Sequence, residues 1–138
     1  MKNSVLLLLL CLFSVKLFGG IGVGYSAVGV LSKVETEVAL PKNFELSQNY
    51  PNPFNPSTKI NYSLPSDSKV TLAVYSTNGE RIALLVNGNQ SAGFYSVNFG
   101  SSSLNKNVSS GVYFYRIIAM DNAKGNQFTS IKKMIFLK

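Results

Sequence analysis

Apolar side chains recur at every second position through much of the chain from residue 41 to the C-terminus. The clearest stretch sets three apolar side chains against three polar ones: Ile60, Tyr62 and Leu64 against Lys59, Asn61 and Ser63. This spacing buries one face of an extended strand and leaves the other face to water. We therefore expect residues 41–138 to form an all-β domain.

A proline-rich segment, Tyr50–Pro56, precedes this strand. Its prolines lack the backbone N–H that a helix or a central strand needs, and they bias the preceding residues toward extended geometry. Asn52 and Asn55 are expected to fold their side chains onto nearby backbone in Asx-turns. We interpret the segment as a stiff entry loop at the start of the folded domain.

Further β-type stretches follow, separated by turn residues. They are Lys69–Ser76, Arg81–Asn87, Phe94–Phe99, Gly111–Ala119 and Gln127–Leu137. Strands spaced by about 8–12 residues, with no helical stretch between them, indicate an antiparallel sandwich of about seven strands. A fully closed barrel is the alternative architecture.

Two of these stretches carry more specific predictions. Asn78 and Gly79 both tolerate positive φ and predict a hairpin. In the return strand, strict alternation groups Ile82, Leu84 and Val86 on one face. A β-bulge would instead bring Leu85 to the face of Ile82, and we favour the bulge. The run Gly111–Ala119 has apolar side chains at both odd and even positions, hence on both faces of a strand. This predicts a central strand that is covered on both faces.

The N-terminus has the pattern of a secretory signal peptide. One early lysine, Lys2, precedes the apolar run Val5–Val15, and Lys16 leaves that run shorter than the roughly 20 residues of a membrane span. We assign residues 1–20 to a signal-peptide helix cleaved near Gly19. A lipoprotein attached through Cys11 and a membrane anchor over residues 5–31 are the alternatives.

Residues 21–40 are interpreted as a flexible linker or the stub of a cargo protein. An alternating patch predicts one edge strand at Glu37–Leu40. No second functional unit fits between the signal peptide and the domain at 41–138.

Composition argues against the common catalytic groups. The chain has no histidine, and Cys11 is its single cysteine. His/Cys metal sites, Ser-His and Cys-His pairs and intrachain disulfides are therefore excluded. Asp121 and Asn122 provide too few oxygens for the six or more ligands of calcium. We expect no enzyme, no metal and no cofactor.

The charge is basic but scattered. The chain has 13 Lys and Arg against 6 Asp and Glu, a net charge of +7. Nucleic-acid binders usually cluster their cations in a patch or stripe. We therefore expect no nucleic-acid partner, but attraction to anionic surfaces.

Several ordered landmarks resemble a known family. They are Asn49–Thr58, Ile60, Ser63–Pro65, Val70–Tyr75, Asn78–Glu80, Ser91–Gly93, Ser110–Arg116 and Lys132–Lys138. Together they resemble the C-terminal sorting domains of the type IX secretion system, type A. The resemblance covers residues 41–138.

The resemblance implies an immunoglobulin-like β-sandwich, similar to that of flagellar hook-scaffolding proteins. It also implies a route: the Sec translocon delivers the chain to the periplasm, and an outer-membrane type IX translocon then exports it. A sortase-like peptidase commonly removes such a domain and attaches the cargo to surface lipopolysaccharide, or releases it. Family members normally carry a large cargo before the domain, and here only the stub precedes it.

Two groups near the start of strands are candidate recognition residues. Pro51, Asn52, Pro53 and Phe54 lie in the entry loop, where a rigid segment presents side chains at low entropic cost. Alternatively, Phe54 plugs the end of the sandwich. Gly111 and Tyr113 are also candidates, but we favour a structural explanation: an unusual backbone angle at Gly111, and a tyrosine that packs in the core or bonds its hydroxyl to a loop.

Three lysines near the C-terminus complete the candidate set. Lys132, Lys133 and Lys138 lie on or after the last strand, where a partner can add a strand to an exposed edge. Lysines on an edge strand also discourage aggregation, so both interpretations stay open. The favoured function is a secretion-targeting domain of a surface or extracellular protein. The alternative is a non-catalytic immunoglobulin-like binding module of such a protein.

Overall fold

The computed structural model describes residues 36–103 and 108–138, except the side chain of Ser103. The predicted signal peptide and its cleavage site lie outside these ranges, in which no helix is long and apolar enough to cross a membrane. One compact unit spans Ala39–Lys138. Its strands are β1 (Glu45–Leu46), β2 (Ser57–Leu64), β3 (Ser68–Ser76), β4 (Arg81–Gln90), β5 (Gly93–Gly100), β6 (Gly111–Asp121) and β7 (Gln127–Phe136).

The strands form two antiparallel sheets. One has the order β1-β2-β5 and the other has the order β4-β3-β6-β7. All pairs of neighbours in these sheets run antiparallel. This confirms the immunoglobulin-like sandwich, and within the described ranges the closed barrel is wrong, because the strands pair in two separate sheets.

The core lies between the sheets and contains the side chains that the period-two pattern predicts. Those of β2 and β3 are Ile60, Tyr62, Leu64, Val70, Leu72 and Val74, all buried. Burying a side chain of this size contributes about 1.5–3 kcal/mol each. Ser63 is expected to face water but is buried, and its Oγ is satisfied by a hydrogen bond that it donates to the carbonyl of Asn43 at 2.9 Å.

The β3–β4 hairpin confirms the predicted bulge. The register shifts between the pairs Leu72–Val86 and Ala73–Leu84, so that Leu85 has no direct partner. Leu85 and Ile82 both pack against the core, whereas Leu84 is 42% exposed. The strand continues to Gln90, beyond the predicted end at Asn87.

The turn of this hairpin uses one residue with positive φ. Gly79 has a φ of 84°. In the described ranges only glycines have a positive φ, so the φ of Asn78 is negative. The N–H of Gly79 donates to the carbonyl of Ser76 at 3.0 Å. The hairpin prediction is confirmed, but glycine alone provides the left-handed conformation.

β6 is central in its sheet but covered on one face only. Its inward side chains Tyr113, Tyr115, Ile117 and Ala119 are buried, whereas Val112 and Met120 on the other face are exposed. The expectation of two covered faces is therefore wrong. On the outer face Arg116 lies over the Tyr75 ring, with 5.0 Å between its Cζ and the ring centroid, so a cation rather than a second layer covers this position.

The predicted edge strand at Glu37–Leu40 is wrong. These residues are exposed and form no strand, and the first strand is β1. β1 pairs with Tyr62 and Ser63, and Ser47 donates its N–H to the carbonyl of Asn61 at 2.9 Å. This part of the β2 edge is thus already paired.

Candidate functional site

The entry loop lies along the outer edge of β7. The N–H of Phe54 donates to the carbonyl of Ile135 at 2.9 Å, and the N–H of Leu137 donates to the carbonyl of Phe54 at 3.1 Å. These two bonds form a parallel bridge between Phe54 and Phe136. The loop therefore pairs with the end of the last strand and is not a free approach to the domain.

Two side chains extend this pairing. Oδ1 of Asn52 accepts a hydrogen bond from the N–H of Ile135 at 2.9 Å, and Nε2 of Gln48 donates to the carbonyl of Lys133 at 2.7 Å. The Asx-turn expected for Asn52 is wrong, because Asn52 Oδ1 accepts its hydrogen bond from Ile135, which lies 83 residues later in the chain. The outward backbone groups of an edge strand need partners, and this loop provides them.

Phe54 anchors the loop inside the sandwich. It is 2% exposed, and its ring lies 5.1 Å from the Phe136 ring and 5.9 Å from the Phe99 ring between centroids. The geometry is that of the plug, one of the two interpretations of this side chain. Pro51, Asn52 and Pro53 remain exposed on the surface of the loop.

Tyr115 ties the chain before the loop to β6. Its buried hydroxyl donates to the carbonyl of Ser47 at 2.7 Å and accepts from the N–H of Asn49 at 2.8 Å. Burial raises the pKa of Tyr115 to about 12, and the hydrogen bond from Asn49 opposes this rise. The phenol therefore stays protonated at neutral pH and can make both bonds.

Asn49 is the centre of a second, largely buried polar network. Its Nδ2 donates to Thr58 Oγ1 at 3.0 Å and to the carbonyl of Pro51 at 3.2 Å. Thr58 Oγ1 donates to the same carbonyl at 2.8 Å, and Gln48 Nε2 donates to Asn49 Oδ1 at 2.7 Å. Four side-chain bonds thus fix the direction in which the chain enters the loop.

Tyr113 forms a tyrosine corner at the start of β6. Its hydroxyl donates to the carbonyl of Ser109, four residues upstream, at 2.7 Å, and its ring is buried. This arrangement is typical of the corresponding strand of immunoglobulin-like sandwiches. Gly111 lies opposite Phe136 and has a φ of 155°, which a residue with a side chain rarely adopts.

The three lysines do not form one patch. Lys132 is half-buried and lies opposite Tyr115, whereas Lys133 is exposed and lies opposite Phe114. Successive residues of a strand point to opposite faces, so these two side chains diverge. Lys138 is exposed beyond the strand, where its N–H donates to Ser110 Oγ at 2.8 Å.

The structure brings most of the predicted site residues to one end of the sandwich. We call this the closing end: the entry loop, the start of β6 and the end of β7 with the residues after it. The sequence did not reveal that Asn49, Thr58 and Tyr115 hold the start of the entry loop in place by hydrogen bonds. No local pattern separates Tyr115 from Tyr113, because both lie on the inward face of β6.

The closing end combines buried hydrogen bonds with exposed positive charge. Its buried hydrogen bonds hold backbone and side chains in place, and its cations face the surface. Among the described residues, no group of three or more His, Cys, Asp or Glu side chains is placed to hold a metal ion.

A family model described as the secretion system C-terminal sorting domain matches residues 48–136. The chain belongs to this family. The matched range begins at Gln48, the first residue that bonds to the β7 edge, and ends at Phe136, the last residue of β7. The domain has a sorting role in the type IX secretion system, which exports its proteins to the cell surface or the extracellular space.

Two solved structures from Porphyromonas gingivalis are similar to this chain. The crystal structure of dimeric latent PorU shares 20% identity with a TM-score of 0.52, covering 70% of this chain and 10% of PorU. A PorZ structure, a surface component of the type IX secretion system, shares 14% identity over 70% of this chain and 12% of PorZ, with a TM-score of 0.38. The PorU likeness shows the fold, and this chain spans about a tenth of the PorU chain. No curated protein matches.

Proposed function

We propose that the secretion system recognises the folded sandwich through side chains at its closing end. The supporting observation is that the entry loop already occupies the β7 edge at Ile135 and Leu137, and that Gln48, just before the loop, bonds to the same edge at Lys133. A partner that added a strand there would first have to displace the loop. Recognition by exposed charge, above all Lys133 and Lys138, requires no such displacement.

The proposed path begins at the N-terminus. Residues 1–20 act as a signal peptide for the Sec translocon, residues 21–40 form a linker, and residues 41–138 form the sorting domain. The outer-membrane translocon recognises the domain, and a sortase-like peptidase then removes it. The net charge of +7 supports an attraction to anionic lipopolysaccharide on the way.

A reporter export assay tests the role of the lysines. The reporter follows a signal peptide and precedes residues 41–138, in a host that carries this secretion system. We expect Lys133→Gln with Lys138→Gln to reduce surface reporter at least tenfold and to leave the reporter in the periplasm. Lys69→Gln with Lys124→Gln is the matched control, because it removes the same charge from exposed positions elsewhere.

Point substitutions are a sharper test than removing the tail. Deleting residues 132–138 also removes Met134 and Phe136, which are buried in the core, so loss of export would then report unfolding. Export of the lysine double variant at the rate of the parent, with both proteins equally resistant to protease, would contradict the proposed reading of these charges.

A further inference from the structure

The outer face of the three-stranded sheet carries a groove of about 360 Å³ that the sorting role does not use. Its floor consists of small polar residues on the three strands and the residue after β1: Ser47, Asn61, Ser63 and Ser96. Glu45 stands on one side and Phe94 on the other. Small side chains between two larger ones are what makes this sheet face concave.

The pairing register gives the dimensions of the groove. Glu45 pairs with Ser63, and Ser63 pairs with Phe94, so these three residues form one row across the sheet. With strands about 4.8 Å apart, the carboxylate side and the aromatic side are separated by roughly 10 Å. Asn61 and Ser96 form the next row, about 7 Å along the strands. One or two sugar rings fit an area of this size.

Several polar groups of the groove have no hydrogen-bond partner in the described part of the chain. They are the Glu45 carboxylate, the Asn61 amide and the Ser96 hydroxyl, whereas Ser63 Oγ is already bonded to the carbonyl of Asn43. Together they offer both donors and acceptors. The β2 backbone beneath them is paired with β1 on one side and with β5 on the other, so a ligand must bond to side chains.

Phe94 is the unusual residue of this face. Its ring is 71% exposed, because the neighbouring side chains on this face are mostly small and polar and do not cover it. An exposed aromatic ring beside free carboxylate, amide and hydroxyl groups complements a pyranose. The C–H-bearing face of the sugar can stack on the ring while its hydroxyls bond to the polar side chains.

We infer that this groove binds a neutral glycan, a short chain of hexopyranoses without phosphate, sulfate or carboxylate. Glu45 is the one charged residue among the described residues that line the groove, so an anionic ligand would be repelled. A peptide gains its main affinity by pairing with a free strand edge, and the β2 backbone in the floor of the groove is already paired on both sides. The groove shares none of its described lining residues with the entry loop or with the lysines of the closing end, so the exported protein can hold a glycan independently of sorting.

The test titrates the full chain with neutral hexasaccharides of glucose, mannose and galactose, and with a hexamer of galacturonic acid as the anionic probe. Isothermal titration calorimetry measures the affinities. We expect submillimolar binding of at least one neutral hexasaccharide and at least tenfold weaker binding of the anionic hexamer. Phe94→Ala should weaken neutral binding at least tenfold, and Asn61→Ala should weaken it severalfold.

Matched controls lie on the other sheet. Ile131→Ala removes an exposed apolar side chain and Asn87→Ala removes an exposed amide from outside the groove, and neither should change the affinity. No binding of any neutral hexasaccharide at millimolar concentration would overturn the inference. Equal binding by the parent and Phe94→Ala, or stronger binding of the anionic hexamer, would also overturn it. Reporter export is measured separately and does not depend on this result.

Discussion

The two edges of the four-stranded sheet are protected in different ways. At β7, the entry loop pairs with the strand end through Phe54 and Asn52, and Gln48 just before the loop adds a third bond. At β4, no described segment outside the sheet forms a backbone bond with the strand, and two register shifts interrupt its regular spacing. One edge is covered by another part of the chain, and the other is made irregular.

The two kinds of edge protection differ in how much of the domain must be folded before they exist. The cover on β7 depends on residues far away in sequence, and it exists only when the whole sandwich has folded. The irregularity of β4 is local to one hairpin. Under the proposed function, a secretion system that recognises the closing end selects a complete, folded domain, because the three parts of that end meet only in the native state.

The largest expected effect comes from removing the anchor of the covered edge. Phe54→Ala should lower the free energy of unfolding by about 3–5 kcal/mol, because it leaves a cavity between Phe99 and Phe136. Leu84→Ala on β4 is the control and should change stability by less than about 1 kcal/mol, since Leu84 is largely exposed. Urea denaturation measures both, and similar losses would remove the contrast between the edges.

Next in size is the loss of the buried hydroxyl behind the loop. Tyr115→Phe should destabilise the domain by about 1–3 kcal/mol, because the N–H of Asn49 and the carbonyl of Ser47 lose their partner. Tyr75→Phe is the control: its hydroxyl bonds to Arg116 on the outer face, where water can replace it. Equal chemical-denaturation midpoints for the two variants would contradict the account.

The same hydroxyl predicts a dependence on alkaline pH. The pKa of Tyr115 is raised from 10.0 to about 12, so between these values the unfolded chain binds fewer protons than the folded one. Stability is then fully present below pH 10 and falls as the pH rises from 10 to 12, by about 1.4 kcal/mol per pH unit at most. Tyr115→Phe should flatten most of this fall in denaturation midpoints. An unchanged slope in that variant would show that the titration lies elsewhere; among the described residues, Tyr62 is a second tyrosine whose pKa burial raises.

The smallest effect concerns one exposed bond of the loop. Asn52→Ala should lower the free energy of unfolding by about 0.5–1.5 kcal/mol. The N–H of Ile135 loses its acceptor in this variant and donates to water instead. Asn87→Ala on β4 should stay within about 0.5 kcal/mol. Thermal unfolding distinguishes the two, and a larger loss at Asn87 would reverse the comparison.

Sequence reasoning predicted the local features well. The inward side chains of β2 and β3 and the bulge that groups Leu85 with Ile82 all follow from short-range spacing. The bond from Asn52 to β7 was not predictable in the same way, because its partner is distant in the sequence. The expected strand at Glu37–Leu40 failed for a related reason: alternation shows that a strand is allowed, but not whether an edge is free to pair with it.

Residue-resolved amide hydrogen exchange of the full chain tests the covered edge most directly. In the folded protein, the amides of Phe54, Ile135 and Leu137 should exchange at least a hundredfold more slowly than the outward-facing amides of β4, because only the former have acceptors. Exchange of Ile135 and Leu137 as fast as the outward-facing β4 amides would show that the loop does not cover β7, and would contradict the account.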